Sequence, residues 1–480
     1  MELLFESRQE ILLRRGRLNA IQGKAEIEAE PVLMPDNEID GAGAACYGSV
    51  LQEGGHFRMW YQAAPRGHGW DRDFSHVAHA ESGDGIHWVK SPPPGRSSGE
   101  NLTNLGLHSP SVSRTPFGYF ATGCVKRSLG SHPAAESPGY YSARSEDGWN
   151  WELEPSGPCL PGGDVITSVW DDRFHHAEIA CKYLRYRGGV MRRAVFNTQS
   201  TGGGWTQPRL ALLPGAADDA AAIAAGYRSA DFYGVTLLPA GATGLAGFAW
   251  MFYHLPPYSN SGAAIFGAGA LVPFYREAAG EPWVLSSSRT PFLEHPEGLA
   301  SGRFFYAASS PIVVGDEHWL YCTAFGAGHG HLLDSERKRS PAALDFMKGR
   351  AVSAIHLARW KRDRIFGFRA ETEAELVLSL GVVPEGAVLR LNLRTCPGGH
   401  VSVALCRADG EFVPGFSRMP AENLEGFDFS DCPPMEGDHT SMEVAWKSGP
   451  ALPASTASNP LIATVRLFMA ECFAYEIVHP

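Results

Sequence analysis

One short strand type recurs five times along this chain, and that repetition restricts the fold more than any other feature. It reads FRMWYQA (57–63), GYFATGCV (118–125), YLRYRG (183–188), GFAWMFYH (247–254) and HWLYCTAF (318–325). The starts at 57, 118, 183, 247 and 318 are 61, 65, 64 and 71 residues apart. Each copy is followed by a strand of similar kind, such as HVAHAESGDGIHW or GYYSARSEDGWNW, and preceded by an apolar one, such as YGSVLQ or ITSVWD. Three or four strands per unit, five times over, predict an all-β fold with a five-bladed β-propeller across residues 1–365. Helical periodicity is nearly absent there. AADDAAAIAAGY (216–227) reads as one short helix or a loop.

A second repeat lies inside the first. Ser82, Asp84, Gly85 and Trp88 match Ser145, Asp147, Gly148 and Trp151 as S-x-D-G-x-x-W, and Ser200 to Trp205 is a degenerate copy. Asp-Gly suits a hairpin turn that needs positive φ, and the Trp can pack between units. These carboxylates therefore read as turn chemistry. Beyond residue 365 the period is lost. AELVLSL, VLRLNLRT, HVSVALCRADG, TSMEVAWK and ATVRLFMAECFAYEI alternate between Gly, Pro and Asp turns, which predicts a C-terminal antiparallel β-sandwich over 366–480.

The totals agree with two globular parts. The 480 residues are 44% hydrophobic and 19% charged, with 54 Gly and 34 Pro for many tight turns. A net charge of −11 without a basic run disfavours nucleic acid as a partner. Nine scattered cysteines with no CxxC pair form neither a disulfide framework nor a metal-ligand pattern. No stretch reaches the roughly 18 apolar residues of a membrane helix, so no membrane partner is expected. MELLFESRQEILLRRGRLNA lacks a continuous apolar core and a small-residue cleavage site. A cytoplasmic location is expected, or a periplasmic or secreted one where a leader has been removed. FGAGA (266–270) and FGAGHGH (325–331) lack the strand–helix context of a dinucleotide or phosphate loop, so no cofactor is expected. His175 and His176 have no second ligand cluster spaced to hold a metal with them.

FRMWYQA followed by a hairpin ending in SGDGIHW resembles the blades of five-bladed propeller glycoside hydrolases of families 43, 32 and 68. ADFYGV (230–235) and IHLARWKRDRIFGFRAE (355–371) further resemble glycosyl-hydrolase-like proteins. The likeness covers nearly the whole chain and implies the propeller, an appended sandwich and carbohydrate as the substrate. It hands over no catalytic residue. The Trp-x-Asn-Asp-Pro-Asn and Arg-Asp-Pro motifs of family 32 are absent, PDNEIDG (35–41) being the nearest acidic stretch. The family 43 trio of two Asp and one Glu finds no matching motif.

Propeller geometry supplies candidates instead, because residues at the start of each innermost strand gather around one mouth of the channel. That position holds Glu38 and Asp40, then Asn104 and His108, then Asp164, Asp231 and Glu297. Glycosidic cleavage needs one protonated and one ionised carboxyl group, and mutual repulsion with partial burial separates their pKa values. Asp40 is assigned as base or nucleophile and Glu297 as proton donor. Asp164 and Asp231 would bind hydroxyls or tune pKa. Taken singly, each Asp reads equally well as a turn or cap residue whose side chain bonds nearby backbone N–H groups. For substrate binding the candidates are Glu38, His108 as a neutral imidazole, Trp70, Tyr233 and Tyr306 as stacking rings, and Arg228. Trp60, Trp250 and Trp319 lie in strand centres and read as core.

The leading expectation is a glycoside hydrolase acting on a short oligosaccharide or glycoside. A non-catalytic carbohydrate-binding propeller and a glycoside phosphorylase are the alternatives. The latter needs a basic cluster beside the carboxylates, which the sequence does not display.

Overall fold

The computed structural model describes the chain except residues 7, 67–75, 91, 94, 96–99, 127–131, 188–189, 202–203, 259–263, 294–304, 326–328, 330–352, 408–422 and 480. The described residues are nearly all β, with one helix, Ala216–Ala224. Every recurrent aromatic segment forms the second strand of its own antiparallel sheet, so the period seen in the sequence is the period of the sheets. The first sheet is Gly43–Glu53, His56–Ala64 and Val77–Ser82. The second is His108–Thr115, Gly118–Val125, Gly139–Ser145 and Glu152–Leu153. The third begins with Ile166–Asp171, His176–Arg187 and Val190–Thr201, and the fourth with Ala230–Ala240, Gly244–Tyr258 and Ala264–Arg276. In the fifth, Glu317–Phe325 pairs with Phe305–Ala307, Ile312–Val314 and Ser353–Lys361. Its last strand, Glu26–Ile27, comes from the other end of the chain.

Hydrogen bonds join the sheets in order and return to the start. Val112 N donates to Ser49 Oγ at 2.7 Å, and Ser109 Oγ donates to the Ile166 carbonyl at 3.2 Å. Arg173 reaches the carbonyls of Ala240, Gly241 and Gly244. Leu237 N donates to Ser309 O at 2.8 Å, and Ser309 N to Gly48 O at 2.9 Å. Gly48 lies in a bulge of the first strand, where a Cβ would collide with the Trp60 carbonyl.

The S-x-D-G-x-x-W repeat is turn chemistry, as its residues suggest. Asp84 Oδ1 accepts from the N–H groups of Ile86 and His87, each at 2.8 Å, and Asp147 Oδ1 does the same for Trp149 and Asn150. Gly85 and Gly148 supply φ of 77° and 79°, which L side chains adopt at a cost. Trp88 and Trp151 each close the loop by donating an indole N–H to that glycine's carbonyl. Trp60, Trp250 and Trp319 are buried in the core.

The C-terminal strands form one six-stranded sheet ordered Ile11–Gln22, Phe366–Gly381, Leu461–Val478, Val388–Arg407 and Asp438–Glu443, with Glu2–Leu3 added beside Leu461–Val478. VLRLNLRT and HVSVALC are halves of one strand. The intervening CPGG bulges it between Thr395 and His400 rather than ending it. Leu391 and Leu393 before the bulge and Val403 and Leu405 after it share one core with Trp446 and Leu452. Residues 11–22, which the 1–365 reading groups with the repeated units, pair here with Phe366–Gly381.

A buried ion pair ties the third sheet to the fourth. Glu178 Oε1 accepts from Arg276 Nη1 at 2.5 Å and Asn197 Nδ2 at 2.8 Å; its Oε2 accepts from Gln199 Nε2 at 3.0 Å and lies 3.3 Å from His176 Nε2. Burial opposes ionisation of Glu178, but His176, Arg276 and Gln199 outweigh it and hold the group at about 2. Removing one partner of a buried pair costs about 3–5 kcal/mol. Glu178→Gln is therefore expected to lower the Tm at pH 7. Because the depressed pKa stabilises above the unfolded value and that benefit fades toward about 2, the gap from wild type should shrink as pH falls from 5. Thermal melts across pH check both.

Candidate active site

Asp164 follows Gly162 and Gly163, whose φ of 92° and 136° turn the chain into the first strand of the third sheet. Its Oδ1 meets the ammonium of Lys126 and its Oδ2 that of Lys182, with His108 Nε2 at 3.5 Å from Oδ1. Lys126 directly follows the strand Gly118–Val125. Lys182 is set by its own N–H, which donates to the Val165 carbonyl at 3.0 Å. The Asp164 side chain keeps 31% of its exposure, whereas Lys182 keeps 4%.

Asp231, second residue of Ala230–Ala240, is fully buried. Arg192 Nε donates to Oδ1 at 2.8 Å and Arg193 Nη1 to Oδ2 at 3.1 Å, and His254 Nε2 lies 3.1 Å from Oδ2. The two arginines leave the strand on opposite faces, and their long side chains meet again around this carboxylate. Arg192 also donates to Asp219 at 2.9 and 3.3 Å. The short helix Ala216–Ala224 presents that group, capped at its start by Asp218 accepting from Gly215 N at 2.8 Å.

Aromatic rings connect the two carboxylates. Lys182 Nζ stands 3.8 Å above the Tyr233 ring, and the Arg193 guanidinium lies 5.4 Å from it. The Tyr233 hydroxyl is 2.9 Å from His329 Nε2. Tyr306 lies 5.6 Å from Tyr233, stacks on Tyr47 at 3.9 Å, and Tyr47 meets His108 at 5.5 Å. The circuit Asp164, Lys182, Tyr233, Tyr306, Tyr47, His108 thus closes on itself, and each of the five sheets contributes to it.

The electrostatics follow from burial and from these partners. Burial opposes charge on Asp164, yet Lys126 and Lys182, with His108, hold it well below the usual carboxylate range. Asp231 is held at about 2 against its burial, by His254 and then the two arginines. Burial and the neighbouring Lys126 lower His108 to about 4, so its imidazole is neutral at pH 7. Burial likewise lowers Lys182 to about 8, with Asp164 opposing and Arg193 assisting. Lys126 is pushed up because Asp164 outweighs its burial. Tyr47 and Tyr306 are pushed well above the ordinary phenol value and Tyr233 above it, chiefly by burial, so all three remain neutral donors. Both carboxylates are therefore fixed as anions, and neither can deliver a proton.

Five of the residues singled out in the sequence meet here: His108, Asp164, Asp231, Tyr233 and Tyr306. Asp40 lies elsewhere, in a fully buried lock. Its Oδ1 accepts from the N–H groups of Asp36 and Asn37, and its Oδ2 from the Tyr61 hydroxyl at 2.8 Å, with Lys90 Nζ at 2.6 Å. It shares no described partner with Asp164 or Asp231. Glu38 pairs with Arg66 at 2.8 Å with its side chain 83% exposed. Arg228 is exposed, and its backbone N–H donates to the carbonyl of His254 at 3.1 Å. Glu297 and Trp70 lie outside the described residues. The sequence reading missed Lys126, Lys182, Arg192, Arg193, Tyr47, His254 and His329. Its one available signal was charge inside apolar strands, as in IACKYL and MRRAVF. No group of three or more metal-ligating side chains occurs among the described residues.

No family model matches the sequence, and no curated protein matches it. Among solved structures, the chain is similar to a β-1,2-mannobiose phosphorylase from Listeria innocua, with 11% identity and a TM-score of 0.44 over 72% of this chain and 98% of that one. It is similar to a fructofuranosidase from Schwanniomyces occidentalis, with 11% identity and a TM-score of 0.41 over 93% and 97%. It is also similar to the GH43_1 enzyme from Xanthomonas citri, with 10% identity and a TM-score of 0.42 over 70% and 90%. At these scores no residue of the cluster receives a role by correspondence.

Proposed function

We propose that the five sheets are the blades of a five-bladed β-propeller and that the chain is a carbohydrate-active enzyme cleaving a glycosidic bond at the Asp164 cluster. The six-stranded sheet would be an accessory β-sandwich, with the division at 365/366 bridged by strand 11–22. The observation that carries this reading is the closed circuit of side chains, one or more from every sheet, around an ionised and partly exposed carboxylate. Neutral phenols and a neutral imidazole beside it are the donors and acceptors that sugar hydroxyls use.

Hydrolysis requires an ionised group to activate water or attack the anomeric carbon, and a protonated one for the leaving oxygen. Asp164 takes the first role in place of Asp40. Asp231 has its oxygens occupied and acts by positioning Arg193. Glu297 stays as the proposed proton donor. A second reading, phosphorolysis, is favoured by the charge count: four cations, Lys126, Lys182, Arg192 and Arg193, face three carboxylates, Asp164, Asp219 and Asp231. That surplus is the basic cluster a phosphate needs. Phosphate-dependent turnover would select the second reading, and turnover in phosphate-free buffer the first.

On a panel of oligosaccharides and aryl glycosides, Asp164→Asn is expected to lower kcat at least ~100-fold with the fold intact, as for loss of an acid–base or nucleophilic group. Unchanged turnover contradicts the site. Lys182 gives a pH signature. Its ammonium is present below about 8 and lost above it, so activity should fall as pH rises through that value. Lys182→Arg, with a guanidinium that does not titrate there, should remove this alkaline limb in kcat/KM profiles.

A further inference from the structure

A second cluster of cations lies away from the Asp164 circuit, in a cleft of about 780 Å3 between the fifth sheet and the six-stranded sheet. Arg359 and Trp360 line it from the fifth sheet, Arg369, Arg394 and Phe473 from the six-stranded one, and Arg364 from the turn between them.

Three of the four carboxylates that line this cleft, Glu28, Glu317 and Glu471, are already engaged; the fourth is Glu26. Arg369 donates through Nε and Nη2 to Glu471 Oε1 at 2.7 and 2.5 Å. Arg394 approaches Oε2 through the same two nitrogens at 2.7 and 2.6 Å. One buried carboxylate thus holds two guanidinium groups. Arg364 spends Nε on Asn392 Oδ1 at 2.8 Å and Nη2 on Asp438 Oδ1 at 2.5 Å, with its guanidinium 4.7 Å from the Phe473 ring. Glu28 is engaged by Arg359, and Glu317 Oε2 by the Trp319 indole at 2.9 Å.

Donors remain unmatched. The Nη1 groups of Arg364, Arg369 and Arg394 make no hydrogen bond to the described residues. Trp360, 5% exposed, has an indole N–H with no acceptor among them. Of these donors the Trp360 indole is the buried one, and a buried donor without an acceptor carries a penalty of about 1–3 kcal/mol, which an incoming acceptor removes. The side chains of Arg369 and Arg394 are half-exposed, so their Nη1 groups are open to an anion entering from solvent. The planar guanidinium fork matches carboxylate and phosphate oxygens better than any other group. Because the chain as a whole carries −11, these cations are not the by-product of a basic surface. The volume lies within the range of small-molecule sites, roughly 300–1,000 Å3.

We propose that this cleft binds a small organic anion, recognised through a carboxylate or phosphate group by Arg364, Arg369 and Arg394. It is separate from the proposed cleavage site and does not depend on that reading. The test is calorimetric titration of the full chain with glucuronate, glucose 1-phosphate and glucose. Saturable binding of at least one anion is expected, and an equal concentration of glucose should not displace it. Arg394→Gln, half-exposed at its side chain, should weaken that binding at least 10-fold with its melting curve still cooperative, and Arg369→Gln should do the same. Lys126→Met, in the other cluster, should leave it unchanged. No saturable binding by wild type, binding unaffected by both arginine variants, or loss only in Lys126→Met would each overturn the proposal. Which anion binds identifies the group recognised.

Discussion

A carboxylate shut away from most water stays ionised only where cations stand against it, and Asp164 meets that condition with lysines from two different sheets. Lys126 directly follows a strand of the second sheet and Lys182 lies in the third, so the pair that fixes the charge also links the two sheets. The lysines depend on the carboxylate in turn. Lys182 is nearly buried, and without Asp164 its ammonium would face Arg193 and Lys126 across a poorly solvated gap. Tyr233 lies beneath both Lys182 and Arg193, which carries the same constraint to Asp231 and the fourth sheet. Charge, ring stacking and sheet geometry are therefore one arrangement to which all five sheets contribute.

Much of this was readable in the sequence for a simple reason. A sheet of three to five strands that cannot bury both faces alone must be repeated, and the repetition leaves a period of aromatic segments. The turn motif was readable because Asp-Gly has a narrow conformational meaning. Ser82 to Trp88 and Ser145 to Trp151 adopt it with the same hydrogen bonds. His108, Asp164 and Asp231 were found by their places at or near the start of a sheet's first strand, which topology gathers together, and Tyr233 and Tyr306 as aromatic rings suited to stack on a sugar.

Other features have no local signature. Asp40 occupies the same formal position as Asp164, but Asn37 Oδ1 accepts from its N–H and its own Oδ1 caps Asp36 and Asn37, which turns it away. The basic cluster is invisible along the chain because its members at 126, 182, 192 and 193 are brought together only by the pairing of strands and sheets. Strand pairing is equally hidden. The alternation in 11–22 reports a strand and not its partner, and Glu26–Ile27 completes the fifth sheet more than 300 residues from its neighbour Ser353–Lys361. The CPGG stretch reads as a turn, yet the ladder resumes beyond it because Val401 and Val403 are needed in the same core as Leu391.

The arrangement separates two electrostatic environments on one acidic chain. Around Asp164 and Asp231 four cations stand against three carboxylates, leaving one positive charge in excess. Between the fifth and six-stranded sheets the guanidinium groups keep donors in hand. The most direct measurement of the central claim is a crystal structure of the Asp164→Asn variant soaked with the oligosaccharide it binds best from a panel. A sugar ring is expected within hydrogen-bond reach of residue 164 and against Tyr233. A sugar seated beside Asp40 and Lys90, or absent from the Asp164 circuit while bound elsewhere, would contradict it.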